Sequence, residues 1–288
     1  MMTEQDLQQL RAHKWHLDGN PVRTLEQARD FISDVGFCVM YPERTLQAVP
    51  SFMGAFAGSP ERLPDSKHAF ADPRAQEATE LMIRLLRERS AYEMNLFPGT
   101  DLVVSASLFP YFHSLVADAN PKATPRVRTQ GARVSPLAVD VFNAIQKNGA
   151  ASKDGLRQLV SRELSDAALD RALGELWSIL KIVRVDYREN QGTFWDVLYR
   201  WSPGVVKEAL DISEPEAISA LLSKFLESAG AATQDEIEAL FSHLTSRSKV
   251  REAINALLSA RELSFVGAGP KTLIRLSPVP EPRRRING

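Results

Sequence analysis

Apolar positions between residues 136 and 180 recur three and four apart: Leu137, Val141 and Ile145, then Leu156, then Leu169, Leu173 and Leu176. That spacing predicts three helices, over about 136–148, 153–161 and 166–180. The period then changes. IVRVDY and TFWDVLYRW flank RENQG and read as two strands about a glycine-containing turn. The pattern starts again downstream, with helices predicted over about 215–229, 234–242 and 247–260. LSFV, GAGPK and TLIRL then supply a second hairpin.

The two runs register at an offset of 81 residues, which lays 137–185 over 218–266 without a gap. Gly149-Ala150-Ala151 falls on Gly230-Ala231-Ala232, and Asp154 on Asp235. Leu159, Ala172, Leu176 and Val185 fall on identical residues, while Leu137, Val141, Ile145, Leu156, Leu169 and Leu173 keep their apolar class. Each copy ends its first helix at a glycine, and Ser152 or Thr233 then stands where an N-cap belongs. Three helices followed by a hairpin describe a winged helix-turn-helix, here expected twice, each copy around its own apolar centre.

Upstream, TLEQARDFISDVGF (24–37) places Leu25, Ala28, Phe31, Ile32 and Val35 on one helical stripe. EATELMIRLLRERSAYEMNL (77–96) reads as a second, longer helix. SASLFPYFHSLVAD (105–118) reads as a third, with Ser105 a candidate cap and Pro110 a candidate kink or break. The stretch 41–67, rich in proline and glycine, reads as loops and short turns. PKATPRVRTQGARVS (121–135) reads as a basic linker without an acid, and PVPEPRRRING (278–288) as a disordered basic tail. The expected fold is therefore mainly α with small β-hairpins. Residues 1–120 form a helical N-terminal domain, read alternatively as a divergent winged helix; two winged helices follow over 136–206 and 207–277.

Composition narrows the function classes only a little. The formal net charge of −1 gives no global attraction to phosphate, so local clusters would have to supply it. The single Cys38 excludes an intrachain disulfide and, among GFCVMY, reads as a buried inert thiol. The five histidines show no zinc spacing, and Asp30 and Asp34 are an ordinary exposed pair; no metal or cofactor is expected. The polar N-terminus and the lack of an apolar run near ~20 residues lead us to expect a cytoplasmic protein without a membrane partner.

VGFCVMYPE at 35–43, SASLFPYFHSL, GAASKDGLRQLV and RWSPGVV at 200–206 together resemble the AlkZ-like winged-helix family, over about residues 24–277. The resemblance implies three winged helices and kinship with bacterial DNA-crosslink-repair glycosylases. Known glycosylases of the family add a C-terminal β-domain, which is not expected in a chain of this length. The family's catalytic signature is Gln-x-Asp or Gln-x-Gln. An amide that positions water and a carboxylate that stabilises a cationic sugar suit N-glycosidic hydrolysis. Matching the family's glycine-containing entry to Val35-Gly36-Phe37 puts that signature on Val39-Met40-Tyr41, and neither Gln-x-Asp nor Gln-x-Gln occurs in the chain.

In a winged helix the third helix enters the major groove, so its outer face carries the DNA chemistry. Copy two offers Arg247, Lys249, Arg251, Asn255 and Arg261 there, whereas copy one has Arg171 as its only cation against Asp166, Asp170 and Glu175. The linker adds Arg126, Arg128 and Arg133. The sequence thus points to a non-catalytic binder of duplex DNA, intact or damaged, through Arg247, Lys249, Arg251, Asn255 and the linker arginines. One alternative is a DNA glycosylase for alkylated or crosslinked DNA with relocated catalytic groups. Near-neutral module charge supports the other, a winged-helix scaffold for a protein partner. Phe194, Trp195, Tyr199, Trp201 and the PYFH segment are read as packing residues ahead of base-stacking ones.

Overall fold

A computed structural model describes residues 3–67, 69, 71–97, 100–117, 120–126, 134–268 and 271–278. The linker arginines Arg128 and Arg133, His68 and the tail beyond residue 278 lie outside the described residues. Among the described residues the fold is mainly helical with three small antiparallel sheets.

The first part contains α1 (Glu4–Lys14), α2 (Leu25–Val35), β1 (Phe37–Val39), α3 (Phe52–Ala57) and α4 (Pro73–Arg87). β2 (Ala91–Phe97), β3 (Thr100–Ser105) and α5 (Phe109–Val116) complete it. Next come α6 (Pro136–Asn148), α7 (Lys153–Leu159), α8 (Asp166–Ser178), β4 (Ile182–Arg188) and β5 (Gly192–Val197). The short helices α9 (Leu198–Trp201) and α10 (Pro203–Leu210) then lead into α11 (Glu214–Ala229), α12 (Gln234–Phe241) and α13 (Arg247–Ser259). The hairpin β6 (Leu263–Ala268) and β7 (Lys271–Leu276) closes the series.

Caps, turns and pairing follow a similar order in 136–206 and 207–277. Ser152 and Thr233 cap α7 and α12, and Ser165 and Ser246 cap α8 and α13, each accepting a backbone N–H of the first turn. Leu180 and Arg261 both take positive φ, 54° and 61°, to turn from third helix to hairpin. Ala151 bridges Trp195 and Ala232 bridges Ile274, so a single residue after the first helix pairs with the second strand in both copies. Gly149 and Gly230 also share positive φ. At Gly230 there is a second constraint, because a Cβ would stand 2.5 Å from the Leu10 side chain on α1.

The N-terminal part departs from the helical reading. Its β1, β3 and β2 form an antiparallel sheet in that order, with Phe37 opposite Val104 and Tyr92 also opposite Val104 from the other side. The helix expected over 77–96 stops at Arg87. Arg89 adopts φ 59°, and Ala91, Glu93 and Met94 pair with β3 instead of continuing the helical ladder. Ser105 belongs to β3 and caps nothing, while Pro110 sits in the first turn of α5, where no helical N–H is lost. In TFWDVLYRW the strand ends at Val197, and residues 198–201 are helical.

The apolar packing also differs from one centre per copy. The first copy has its own cluster around Phe142, Ile145, Leu169, Leu173 and Trp177. The second shares one with the N-terminal sheet: Phe225, Phe241 and Leu257 join Phe37, Leu102 and Phe112. Arg11 on α1 donates to the carbonyls of Ala229 and Ala231 (2.9 and 2.8 Å), satisfying orphan groups at the end of α11. Among the described residues no helix is long and apolar enough to cross a membrane.

Candidate nucleic-acid interface

The sequence makes α13 two-faced. Val250, Ala253, Ile254 and Leu257 recur at helical spacing and are buried, so Arg247, Ser248, Lys249, Arg251 and Asn255 are left exposed on the other side. The four candidates predicted on this helix are all exposed. Arg247 has no bonded partner among the described residues. Lys249 Nζ lies 2.8 and 2.7 Å from the two Glu214 oxygens, an exposed pair.

Arg251 is held differently. Its Nε and Nη2 donate to the two carboxylate oxygens of Glu238 on α12, at 2.6 and 2.8 Å, and Gln234 Nε2 adds a third bond at 2.8 Å. The Glu238 side chain is only 4% exposed. The bonds from Arg251 and Gln234 hold its carboxyl down at about 2. Arg251 is thus a structural fork as well as a surface cation.

The first copy inverts this polarity. Asp166 and Asp170 on α8 occupy the positions of Arg247 and Arg251, and they pair with Arg157 and Lys153 on α7. Its third helix is acidic where that of the second copy is basic. Arg126 is exposed in a segment that lies along the first copy: Gln146 donates to the Lys122 carbonyl, and Lys181 Nζ donates to those of Asn120 and Ala123. Among the described residues no hydrogen bond or ion pair joins it to α13.

A cleft of about 460 Å³ opens beside α12. The loop 44–49, Thr100 at the start of β3, the α12 face carrying Asp235, Ala239 and Leu240, and His243 just beyond that helix form its walls. A smaller cleft of about 280 Å³, bounded by Asn95, Leu115 and Ser178, meets it at His243. His243 stands three residues before the Ser246 cap of α13. Sequence reasoning missed this cleft, because its walls are more than a hundred residues apart in the chain.

Beside it, positions 39–41 offer no hydrolytic group. Val39 and Met40 are buried, and the Tyr41 hydroxyl lies 3.5 Å from Thr79 Oγ1. Cys38 is fully buried, and desolvation pushes its thiol up, away from the reactive thiolate. Among the described residues no His, Cys, Asp and Glu cluster could hold a metal ion.

A buried charge cluster was equally invisible in the sequence. Glu93 on β2 and Asp101 on β3 accept from Arg184 Nη1 on β4, at 2.9 and 3.4 Å. The Arg184 guanidinium lies over Trp177 and Trp195, and Trp177 Nε1 donates to the Glu93 carbonyl. Burial raises the Glu93 carboxyl, with Arg184 pulling the other way. This cluster joins the N-terminal sheet to the hairpin of the first copy, and Trp195 packs there as expected.

Comparison with known proteins agrees with this architecture. No curated protein matches the chain. The DNA glycosylase AlkZ of Streptomyces sahachiroi is similar in structure, with a TM-score of 0.61 and 16% sequence identity. The alignment covers 96% of this chain and 70% of that one, and at such identity the likeness is one of fold. The model of the family described as DNA glycosylase AlkZ-like matches residues 68–286, most of the sequence. The chain belongs to the AlkZ-like family.

Proposed function

We propose that this protein binds duplex DNA as a set of winged helices, through the outer face of α13 and the adjoining hairpin β6–β7, and does not cleave the glycosidic bond. The element order supports the winged-helix reading. In 136–206 and 207–277 a capped three-helix unit is followed by a hairpin, and in the N-terminal part α2, β1, α3, α4, β2 and β3 run in a comparable order. The observation that carries the DNA reading is that Arg247, Lys249, Arg251 and Asn255 of a third helix are all exposed. The hairpin 263–276 adds Lys271 and Arg275 and contains no acidic residue. The absence of catalysis rests on positions 39–41, where apolar and phenolic side chains stand in place of an amide and a carboxylate.

The test is a salt titration of binding to a labelled duplex. Each phosphate neutralised contributes about 0.9 to the slope of log affinity against log salt. Replacing Arg247 and Lys249 together by Ala should therefore flatten the slope and weaken binding on any duplex sequence. Binding indifferent to salt, or unchanged in the double variant, would remove the proposal.

One observation favours the enzyme reading. The cleft carries Gln47 and Asp235, an amide and a carboxylate, which are the groups that glycosidic hydrolysis uses. Incubation with alkylated or crosslinked duplex decides between the two. Abasic sites above background, lost on Asp235→Asn, would establish an enzyme, and their absence leaves a binder.

A further inference from the structure

We infer that Arg251 reads a guanine in the major groove and that Glu238 orients it for this task. The inference rests on the DNA-binding reading and names what α13 recognises in the duplex.

The cations of α13 are held in different ways. Arg247 has no bonded partner among the described residues, and Lys249 pairs with the exposed Glu214. Such side chains adjust to the backbone and keep their charge available, which suits contact with phosphates. Arg251 is neither adjustable nor uncompensated. Its charge is offset by Glu238, whose side chain is 4% exposed, so it is a poor counter-ion for a phosphate.

Its hydrogen-bonding geometry fits a base edge instead. Glu238 occupies the side edge of the guanidinium, accepting from Nε and Nη2 at 2.6 and 2.8 Å. A guanidinium carries five N–H groups, so both on Nη1 and the second on Nη2 remain. Nη1 has no bonded partner among the described residues and the side chain is 56% exposed, so the end edge is the one left for a ligand. That edge offers two parallel donors, which match the O6 and N7 acceptors of guanine. Adenine sets an N6 donor beside its N7, cytosine presents a donor and thymine a single acceptor, so each matches less well.

The fork is also set in advance. Gln234 Nε2 donates to Glu238 Oε1 at 2.8 Å and fixes the carboxylate, which fixes the guanidinium, so less rotamer freedom is lost when the base binds. Arg251 stands one turn after Arg247, the first residue of α13, in the part of a third helix that reaches base edges. At the offset of 81 the first copy has Asp170 and Arg157 in place of Arg251 and Glu238, so α8 offers no such fork.

The experiment selects the full chain against a duplex library with a randomised central block, and the bound sequences should share a guanine. Binding to an enriched duplex is then compared with binding to the same duplex carrying 7-deazaguanine at that position, which pairs normally with cytosine but lacks N7. A bidentate pair discriminates by about 5- to 150-fold, so wild type should bind the modified duplex roughly fivefold more weakly or worse. Arg251→Lys keeps a cation on Glu238, and with it the fold, but removes the planar fork; it should bind both duplexes alike. Glu238→Gln should shrink the ratio toward one, whereas Arg247→Ala should weaken both duplexes and leave the ratio intact.

Bound duplex without an enriched guanine, a wild-type ratio near one, or a ratio that persists in Arg251→Lys would overturn the inference while leaving DNA binding intact. A ratio unchanged in Glu238→Gln would overturn the positioning role. The wild-type comparison needs no variant, so a variant that folds poorly does not shelter the inference. No binding to any duplex would instead overturn the DNA-binding reading, and the inference with it.

Discussion

His113 sets the sharpest stability test. It lies on α5 between the N-terminal sheet and α11, 2% exposed, and its Nε2 has no hydrogen-bond partner among the described residues. Burial, then the nearby Lys181 charge, lowers its pKa from the ordinary 6.5 to about 4. The folded value is the lower one, so between these two pH values the unfolded chain binds more protons. Stability is therefore lost as pH falls below about 6.5, and the loss levels off below about 4. At about 1.4 kcal/mol for each tenfold in affinity, the full proton linkage is ~3 kcal/mol, of which ~2.5 kcal/mol is already lost at pH ~4.5. The assay is urea unfolding at pH ~7.5 and ~4.5 for wild type and His113→Leu. Other titrating groups are common to both proteins and cancel in the comparison. Wild type should lose ~2.5 kcal/mol more than the variant across this range. Equal losses would mean that His113 titrates as it does in water, and the desolvation argument would be wrong.

Further outcomes follow from the charge pairs. Arg184→Ala leaves the Glu93 carboxylate buried without its cation, and should cost about 3–5 kcal/mol in chemical denaturation. Adding Glu93→Leu should recover a large part, and strictly additive losses would refute the coupling. Arg251→Ala should lower the melting temperature more than Lys249→Ala, because Glu238 is buried and Glu214 is exposed; the reverse order would contradict the fork. The Glu238 carboxyl, followed by carbon NMR, should titrate at about 2, so the pair stabilises the fold above the ordinary value of 4.5 and is lost as pH falls through about 2. A midpoint near 4.5 would show the pair absent in solution.

The helix starts were readable because their signals are local. Caps at Ser152, Thr233, Ser165 and Ser246 depend on a side chain reaching an amide three residues ahead, and the apolar stripes depend on 3.6-residue spacing. Where two local signals competed, the reading failed. Residues 88–96 extend an amphipathic helix in sequence, but pairing with β3, more favourable than another helical turn, turns them into a strand. Leu159 and Leu240 are identical at this offset, yet Leu159 is 45% exposed, whereas Leu240 is buried in the cluster that includes the N-terminal sheet.

By itself, then, the sequence determined the helices, caps and hairpins of both copies and the amphipathic face that leaves Arg247, Lys249, Arg251 and Asn255 outside. Each of those is an interaction between residues a few positions apart. Only the tertiary structure decided that the second copy shares its core with the N-terminal sheet, that Glu93 and Asp101 meet Arg184, and that loop 44–49 faces Asp235 across a cleft. These are contacts between segments some eighty to two hundred residues apart. Their free energy comes from burying surfaces against one another, which no local pattern of residues records.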